Sequence, residues 1–260
     1  MIKLYYENEW VKLYHGDCLE IMPQLDIKFD CCITDLPYGT TSCKWDSVIP
    51  FEPMWNELKR LVKDNGAICL FGNEPFSSYL RISNIKMFKY DWIWLKSKSG
   101  SAFTAKYKPV NKHETIMVFG KQTLNYYPQC IEGKAYQRHH KLLPKHEKNN
   151  HCIGINNKKI ETVNTGFRYP ITVQYFQQNW RRQDQLHPTQ KPVELMEYLI
   201  KTYTLENEYV LDFTAGSGTA GVACMNLNRK CILIEKEEKY CDIIIKRLQD
   251  KEKEISERIF

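Results

Sequence analysis

The stretch Val210-Leu211-Asp212-Phe213 runs into Thr214-Ala215-Gly216-Ser217-Gly218-Thr219-Ala220-Gly221, and nothing else in the chain constrains the fold as tightly. An apolar run that ends in a glycine turn and reopens as a helical pattern predicts a buried strand, a tight turn and a helix N-terminus. Glycines there let the backbone approach a ligand closely. Glu235 closes the next apolar run, 19 positions after Gly216. A carboxylate at that place accepts hydrogen bonds from ribose hydroxyls.

The rest of the chain repeats the strand-then-helix alternation. Strands are predicted at 29–34, 66–71, 90–95, 114–119, 208–213 and 230–234, and helices at 51–63, 74–83, 193–203, 218–227 and 237–248. The charged run 250–254 extends the last helix into solvent. Such alternation implies a mainly parallel sheet covered on both faces. Residues 121–187 interrupt it with glycines, asparagines, prolines and charges, over a length that marks a functional insertion. Gly216 to Gly221 also satisfies Gly-x-Gly-x-x-Gly, so a nicotinamide-dependent dehydrogenase is the alternative of another class. Against it, Asp212 beside the turn suits an ammonium group and not a pyrophosphate. Only 25 residues follow Glu235, too few for further strand–helix units.

Charge is concentrated in the insertion. The whole chain carries +6, yet residues 121–187 hold eleven Lys and Arg against four Asp and Glu. Interleaved with them are Tyr126, Tyr127, Tyr136, Phe167, Tyr169, Tyr175, Phe176 and Trp180. Basic residues among aromatics suit a polyanion with stackable bases. The competing reading is a solvated surface over a small aromatic core. No run of about 18 apolar residues exists, so no membrane span is expected. With no apolar signal core at the start, the expected location is cytoplasmic. Ten cysteines are present, but no Cys-x-x-Cys pair. Cys31, Cys32, Cys69, Cys224 and Cys231 sit in apolar runs as small hydrophobes. Cys130, His139, His140, His146, His151 and Cys152 are irregularly spaced, and no metal is expected there.

Asp35-Leu36-Pro37-Tyr38 follows the strand that ends at Thr34. In an open α/β sheet that is where ligands bind. An exocyclic amine is a poor nucleophile because its lone pair is delocalised into the ring. A carboxylate and a backbone carbonyl hold its two hydrogens, proline stiffens the turn, and Tyr38 offers a face to an extruded base.

Together the two turns resemble the amino-methylating DNA methyltransferases, whose catalytic motif is Asp-Pro-Pro-Tyr. The order, with catalytic turn first, recognition segment second and cofactor loop last, is that of the family's beta subgroup. The resemblance covers most of the chain. His15-Gly16-Asp17-Cys18-Leu19 resembles the segment flanking the cofactor adenine. His187-Pro188-Thr189-Gln190-Lys191-Pro192 resembles the approach to the helix before the glycine loop, where Lys191 would meet the methionine carboxylate. Asp212 to Thr219 resembles the cofactor loop, and Glu235 would hold the ribose. Leu36 replaces the first proline of the catalytic motif. Phe213 and Thr214 stand where the family has proline and phenylalanine.

The resemblance implies a Rossmann-like methyltransferase fold, a mixed, mainly parallel sheet with helices on both faces, plus an inserted target-recognition region. Residues 1–120 would form the catalytic half, 121–187 the recognition insert and 188–260 the cofactor half. It implies S-adenosylmethionine as cofactor, double-stranded DNA as substrate, and in-line methyl transfer to adenine N6 of a flipped-out base, with cytosine N4 as the alternative. Catalytic residues would be Asp35, Leu36, Pro37 and Tyr38. Cofactor contacts would be Asp17, Cys18, Asp35, Thr189, Lys191, Asp212, Phe213, Thr214, Ala215, Gly216, Ser217, Gly218, Thr219 and Glu235. DNA contacts would be Trp45, Arg138, Arg168, Arg181 and Arg182, with Trp45 either closing over the base or anchoring its loop. Whether the chain forms a homodimer, or serves beside a cognate restriction endonuclease, stays open at this point.

Overall fold

The computed structural model describes residues 3–39, 47–99, 105–139, 161–178 and 190–259. Its elements begin with β1 (Leu4–Glu7), β2 (Val11–His15), α1 (Cys18–Ile21), β3 (Phe29–Thr34), α2 (Phe51–Leu61) and β4 (Val62–Gly72). They continue with α3 (Phe76–Ser83), β5 (Phe88–Lys96), β6 (His113–Phe119), β7 (Ile131–Glu132), β8 (Tyr136–His139), β9 (Glu161–Asn164) and β10 (Phe167–Arg168). The last are β11 (Val173–Phe176), α4 (Val193–Tyr203), β12 (Tyr209–Asp212), α5 (Thr219–Asn226), β13 (Lys230–Glu235) and α6 (Glu238–Ile259). These fall into two units, Met1–Tyr127 with Thr172–Phe260, and Pro128–Ile171.

The first unit is built on a nine-stranded sheet of order β1-β2-β13-β12-β3-β4-β6-β5-β11. Only β1 and β6 run against the other strands. Strands covered on both faces must be apolar at successive positions. In β3, Phe29-Asp30-Cys31-Cys32-Ile33-Thr34 is buried throughout. Cys31 and Ile33 pack into one apolar layer with Leu199, Ala220 and Ile244 from α4, α5 and α6. Cys32 packs into the opposite layer with Ile21, Leu58 and Leu80 from α1, α2 and α3. Cys31, Cys32, Cys69, Cys224 and Cys231 are all buried free thiols within these layers.

Three features differ from the sequence pattern. The first residues form the antiparallel pair β1–β2 at one edge. Strand β4 begins at Val62, directly after α2. Strand β11, drawn from the basic, aromatic stretch, pairs in parallel with β5 and closes the other edge. Among the described residues no helix is long and apolar enough to cross a membrane.

One polar group inside this core has a measurable role. The Tyr203 hydroxyl is fully buried and accepts the Trp92 indole N–H at 2.7 Å. Tyr203→Phe strands that N–H without a partner. Thermal or denaturant unfolding is expected to show a loss of about 1–3 kcal/mol, the cost of an unsatisfied buried donor.

The second unit, taken by itself, is two short antiparallel ladders, β7 with β10 and β8 with β9. Asn164 organises its turn, accepting the Gly166 N–H at 2.9 Å and donating to the Phe167 carbonyl at 2.9 Å. Val163, Phe167, Tyr169 and Ile171 are exposed.

Candidate active site

Strand order reverses between β12 and β3. From β3 the chain crosses through α2 to β4 on one side; from β12 it crosses through α5 to β13 on the other. The loops that follow these two neighbours therefore diverge and leave a crevice at their carboxyl ends, the usual ligand site of open α/β sheets. A cleft of about 500 Å³ lies there, lined by both sequence-predicted turns.

The glycine turn owes its shape to two positive-φ residues, Gly216 at 55° and Gly218 at 74°. A Cβ on Gly218 would lie 2.9 Å from the buried Ile244 side chain, so the turn is pressed against α6 as well as left-handed. Glu235 braces the turn from the end of β13. Its Oε2 accepts the Gly216 N–H at 2.7 Å and its Oε1 the Glu237 N–H at 2.9 Å. At the end of β12, Asp212 accepts the Thr34 hydroxyl and the Thr214 N–H. Burial pushes the Asp212 carboxyl up to about 7, against the pull of those two donors. Burial likewise raises Glu235 above the ordinary carboxylate range. Two raised, buried carboxyls beside one turn suit a cationic ligand and oppose a pyrophosphate.

The catalytic-type turn is tied to the glycine turn. Thr214 Oγ1 donates to the Asp35 carbonyl at 2.9 Å. The Asp35 carboxylate has both oxygens engaged: Tyr38 Oη donates to Oδ1 at 2.7 Å, and Lys191 Nζ donates to Oδ2. Burial pushes the Asp35 carboxyl up; Lys191 pulls it down and Glu114 adds to the rise, leaving it above its ordinary value. The Tyr38 ring rests on Phe76 with centroids 5.0 Å apart.

Leu36 and Phe213, two of the three departures from the family pattern, are buried in the α1–α2–α3 apolar layer, 4% and 1% exposed. Their side chains anchor the two turns to the core. Thr214, the third departure, supplies the hydroxyl that joins them.

Most of the predicted residues line one cleft: Asp17, Cys18, Asp35 to Tyr38, Lys191, Asp212 to Ser217, Thr219 and Glu235. Gly218 caps α5 behind it. Asp17 caps α1 through the Leu19 N–H and pairs with Lys236 at 3.0 Å. Burial pushes the Cys18 thiol up to about 12, so it offers no thiolate. Arg138 lies in β8 and the exposed Arg168 in β10. Trp45, Thr189, Arg181, Arg182 and the His/Cys stretch 140–160 lie outside the described residues. Sequence reasoning missed Glu114, Lys96, Thr34 and Lys236. Glu114 and Lys96 are charged residues at the ends of apolar strands, a signal that could have flagged them.

An open α/β fold with acidic groups at a glycine turn and an Asp-x-Pro-Tyr turn across the cleft defines a nucleoside-binding group-transfer enzyme. Comparison with known proteins agrees. The profile of a family described as DNA methylase matches residues 29–246. The chain belongs to that family, the amino-methylating DNA methylases. Among its relatives, the Type II methyltransferase M2.LlaDCHI of Lactococcus lactis subsp. cremoris is 27% identical over 95% of this chain and 93% of its own. The Type II methyltransferase M.HpaI of Haemophilus parainfluenzae is 28% identical over 84% of this chain and 68% of its own. A crystal structure of M1.HpyAVI in complex with SAM superposes with a TM-score of 0.61 at 26% identity, covering 91% of this chain and 99% of that one. The cytosine-N4-specific PvuII DNA methyltransferase shares the fold, with a TM-score of 0.63 at 14% identity over 95% of this chain and 96% of that one. The fold is the Rossmann-like methyltransferase fold that the motifs imply.

Proposed function

We propose that this chain transfers a methyl group from S-adenosylmethionine to the N6 amino group of adenine in double-stranded DNA. The observation that carries the reading is the convergence of the two turns on one cleft, joined by the Thr214–Asp35 hydrogen bond. The donor set fits the cofactor. Asp212 would offer a carboxylate to its ammonium group, Glu235 has acceptor capacity for ribose hydroxyls, and Asp17 and Cys18, which line the same cleft, would flank its adenine. Bound there, S-adenosylmethionine would supply an electrophilic methyl group on sulfur.

The chain's own residues then orient the acceptor. Asp35 and the Leu36 carbonyl accept the two amino hydrogens, and Tyr38 supports the extruded base. Much of the rate comes from holding the reactants in line. Residues 1–120 supply the catalytic half, 188–260 the cofactor half and 121–187 target recognition. The Type II relatives support the same class here. The preference for adenine over cytosine rests on the family resemblance, in which a catalytic motif beginning with aspartate, here Asp35, is more often the adenine type.

Two measurements test the reading. Tritium from labelled S-adenosylmethionine should enter unmethylated duplex DNA, while reduced nicotinamide cofactor should not bind; the reverse pattern would return the dehydrogenase reading. Arg168→Ala should weaken DNA binding about equally on all sequences and lower the slope of log affinity against log salt by about one. An unchanged slope would remove Arg168 from the phosphate contacts.

A further inference from the structure

The Asp35 carboxylate belongs to a larger charge cluster, and the centre of that cluster is Lys191. The residue is 7% exposed, and its ammonium lies between the carboxylates of Asp35 and Glu114. It hydrogen-bonds Asp35 Oδ2 after β3 and sits 3.4 Å from Glu114 Oε2 at the start of β6. It also lies over the Phe71 ring, 5.0 Å from the centroid. The other Glu114 oxygen takes Lys96, from the end of β5, at 3.1 Å. Two acids and two bases thus meet with no net charge in a largely buried place.

We propose that Lys191 is a positioning residue for amino-group methylation, clamped by Glu114 and Phe71 so that its ammonium fixes the Asp35 carboxylate toward the acceptor base. The inference rests on the amino-methylation reading. It gives Lys191 a different partner from the methionine carboxylate that the family resemblance implies. A ligand carboxylate on the same ammonium would have to compete with Asp35 and Glu114, whose oxygens already lie against it. With Tyr38 on Oδ1 and Lys191 on Oδ2, the carboxylate plane is set, and each oxygen keeps a lone pair for an amino hydrogen.

Opposed charges make the idea testable. The ionisable groups facing Asp35 among the described residues are Tyr38 on its own turn, Lys191, Glu114 with Lys96 behind it, and Asp212 at the end of β12. Asp35 must be ionised to accept an amino hydrogen, so activity falls as pH drops through its pKa. Removing the nearby cation raises that pKa, and removing the nearby anion lowers it.

The experiment measures methyl transfer from labelled S-adenosylmethionine to unmethylated genomic DNA across the acid limb, for wild type, Lys191→Met and Glu114→Gln. Lys191→Met should lower kcat by about 10²-fold, the scale for one preorganised polar group. It should also move its acid limb to higher pH by about one unit, the effect of losing an adjacent opposite charge. Its KM for S-adenosylmethionine should stay within about twofold of wild type, as for a loss felt only in the transition state. Glu114→Gln should move the limb the other way. A raised KM for S-adenosylmethionine with an unmoved limb in Lys191→Met would overturn the proposal in favour of the methionine carboxylate. Should Lys191→Met not fold, an unmoved limb in Glu114→Gln overturns it alone. Wild-type protein that labels no DNA amine would instead overturn the amino-methylation reading beneath it.

Discussion

Asp35→Ala is expected to abolish methyl transfer, by about 10³-fold or more, the scale for losing a preorganised polar group at the reacting atoms, while S-adenosylmethionine still binds. The substitution removes the acceptor for the amino hydrogen. It also removes the acceptor of the Tyr38 hydroxyl and the Asp35 partner of Lys191. The cofactor side should survive for a structural reason. Thr214 reaches the Asp35 main-chain carbonyl and not its carboxylate, so the joint between the two turns is kept in alanine. Equilibrium binding of the methyl donor and single-turnover transfer, measured on the same preparation, separate the two effects. Near-wild-type turnover would remove Asp35 from the chemistry. Loss of donor binding would mean that the carboxylate shapes the cofactor cleft.

The second large effect concerns Asp212, and it has two signs. In the folded chain without ligand its carboxyl is raised by burial to about 7, against 3.8 ordinarily. The unfolded chain therefore gives up this proton at lower pH than the folded chain does. The stability it contributes is complete below about pH 4 and is lost as pH rises toward 7. Asp212→Asn keeps an oxygen to accept the Thr34 hydroxyl and the Thr214 N–H, but has no charge to bury. The variant should melt higher than wild type at pH 8 and lose that part of the pH dependence. The same change should weaken S-adenosylmethionine binding about 10- to 100-fold, the value of a hydrogen bond to a charged group. Wild-type affinity should rise with pH through about 7, since a cationic ligand favours the ionised carboxylate. A variant that is both less stable and equally tight would contradict the assignment.

The two turns were legible because their chemistry is local. Proline and glycine punctuate strand ends, and an acid beside each turn is visible without knowing what lies across the cleft. The fold class followed from short, largely apolar runs such as Phe29-Asp30-Cys31-Cys32-Ile33-Thr34, a strand buried throughout. What was not legible depends on strand direction and long-range pairing. Glu114 opens its strand, and in an all-parallel sheet it would stand at the end far from the cleft. Because β6 runs backwards, that start falls level with the carboxyl ends of its neighbours and brings Glu114 to Lys191. The edge strand Val173–Phe176 was hidden by its length and half-exposed pattern. Leu36 and Phe213 read as departures from a motif, whereas their burial gives them a packing role that no motif encodes.

Methylation of a DNA base amino group by the two joined turns can be read directly from its product. The most direct measurement is mass analysis of nucleosides from duplex DNA treated with the protein and isotopically labelled S-adenosylmethionine. Label is expected in N6-methyldeoxyadenosine, and is expected to be absent when Asp35→Ala is used. Label in N4-methyldeoxycytidine would keep the amino chemistry and change the base. Label on a ring carbon, or none in DNA with donor-bound protein, would contradict methylation of a base amino group by these turns.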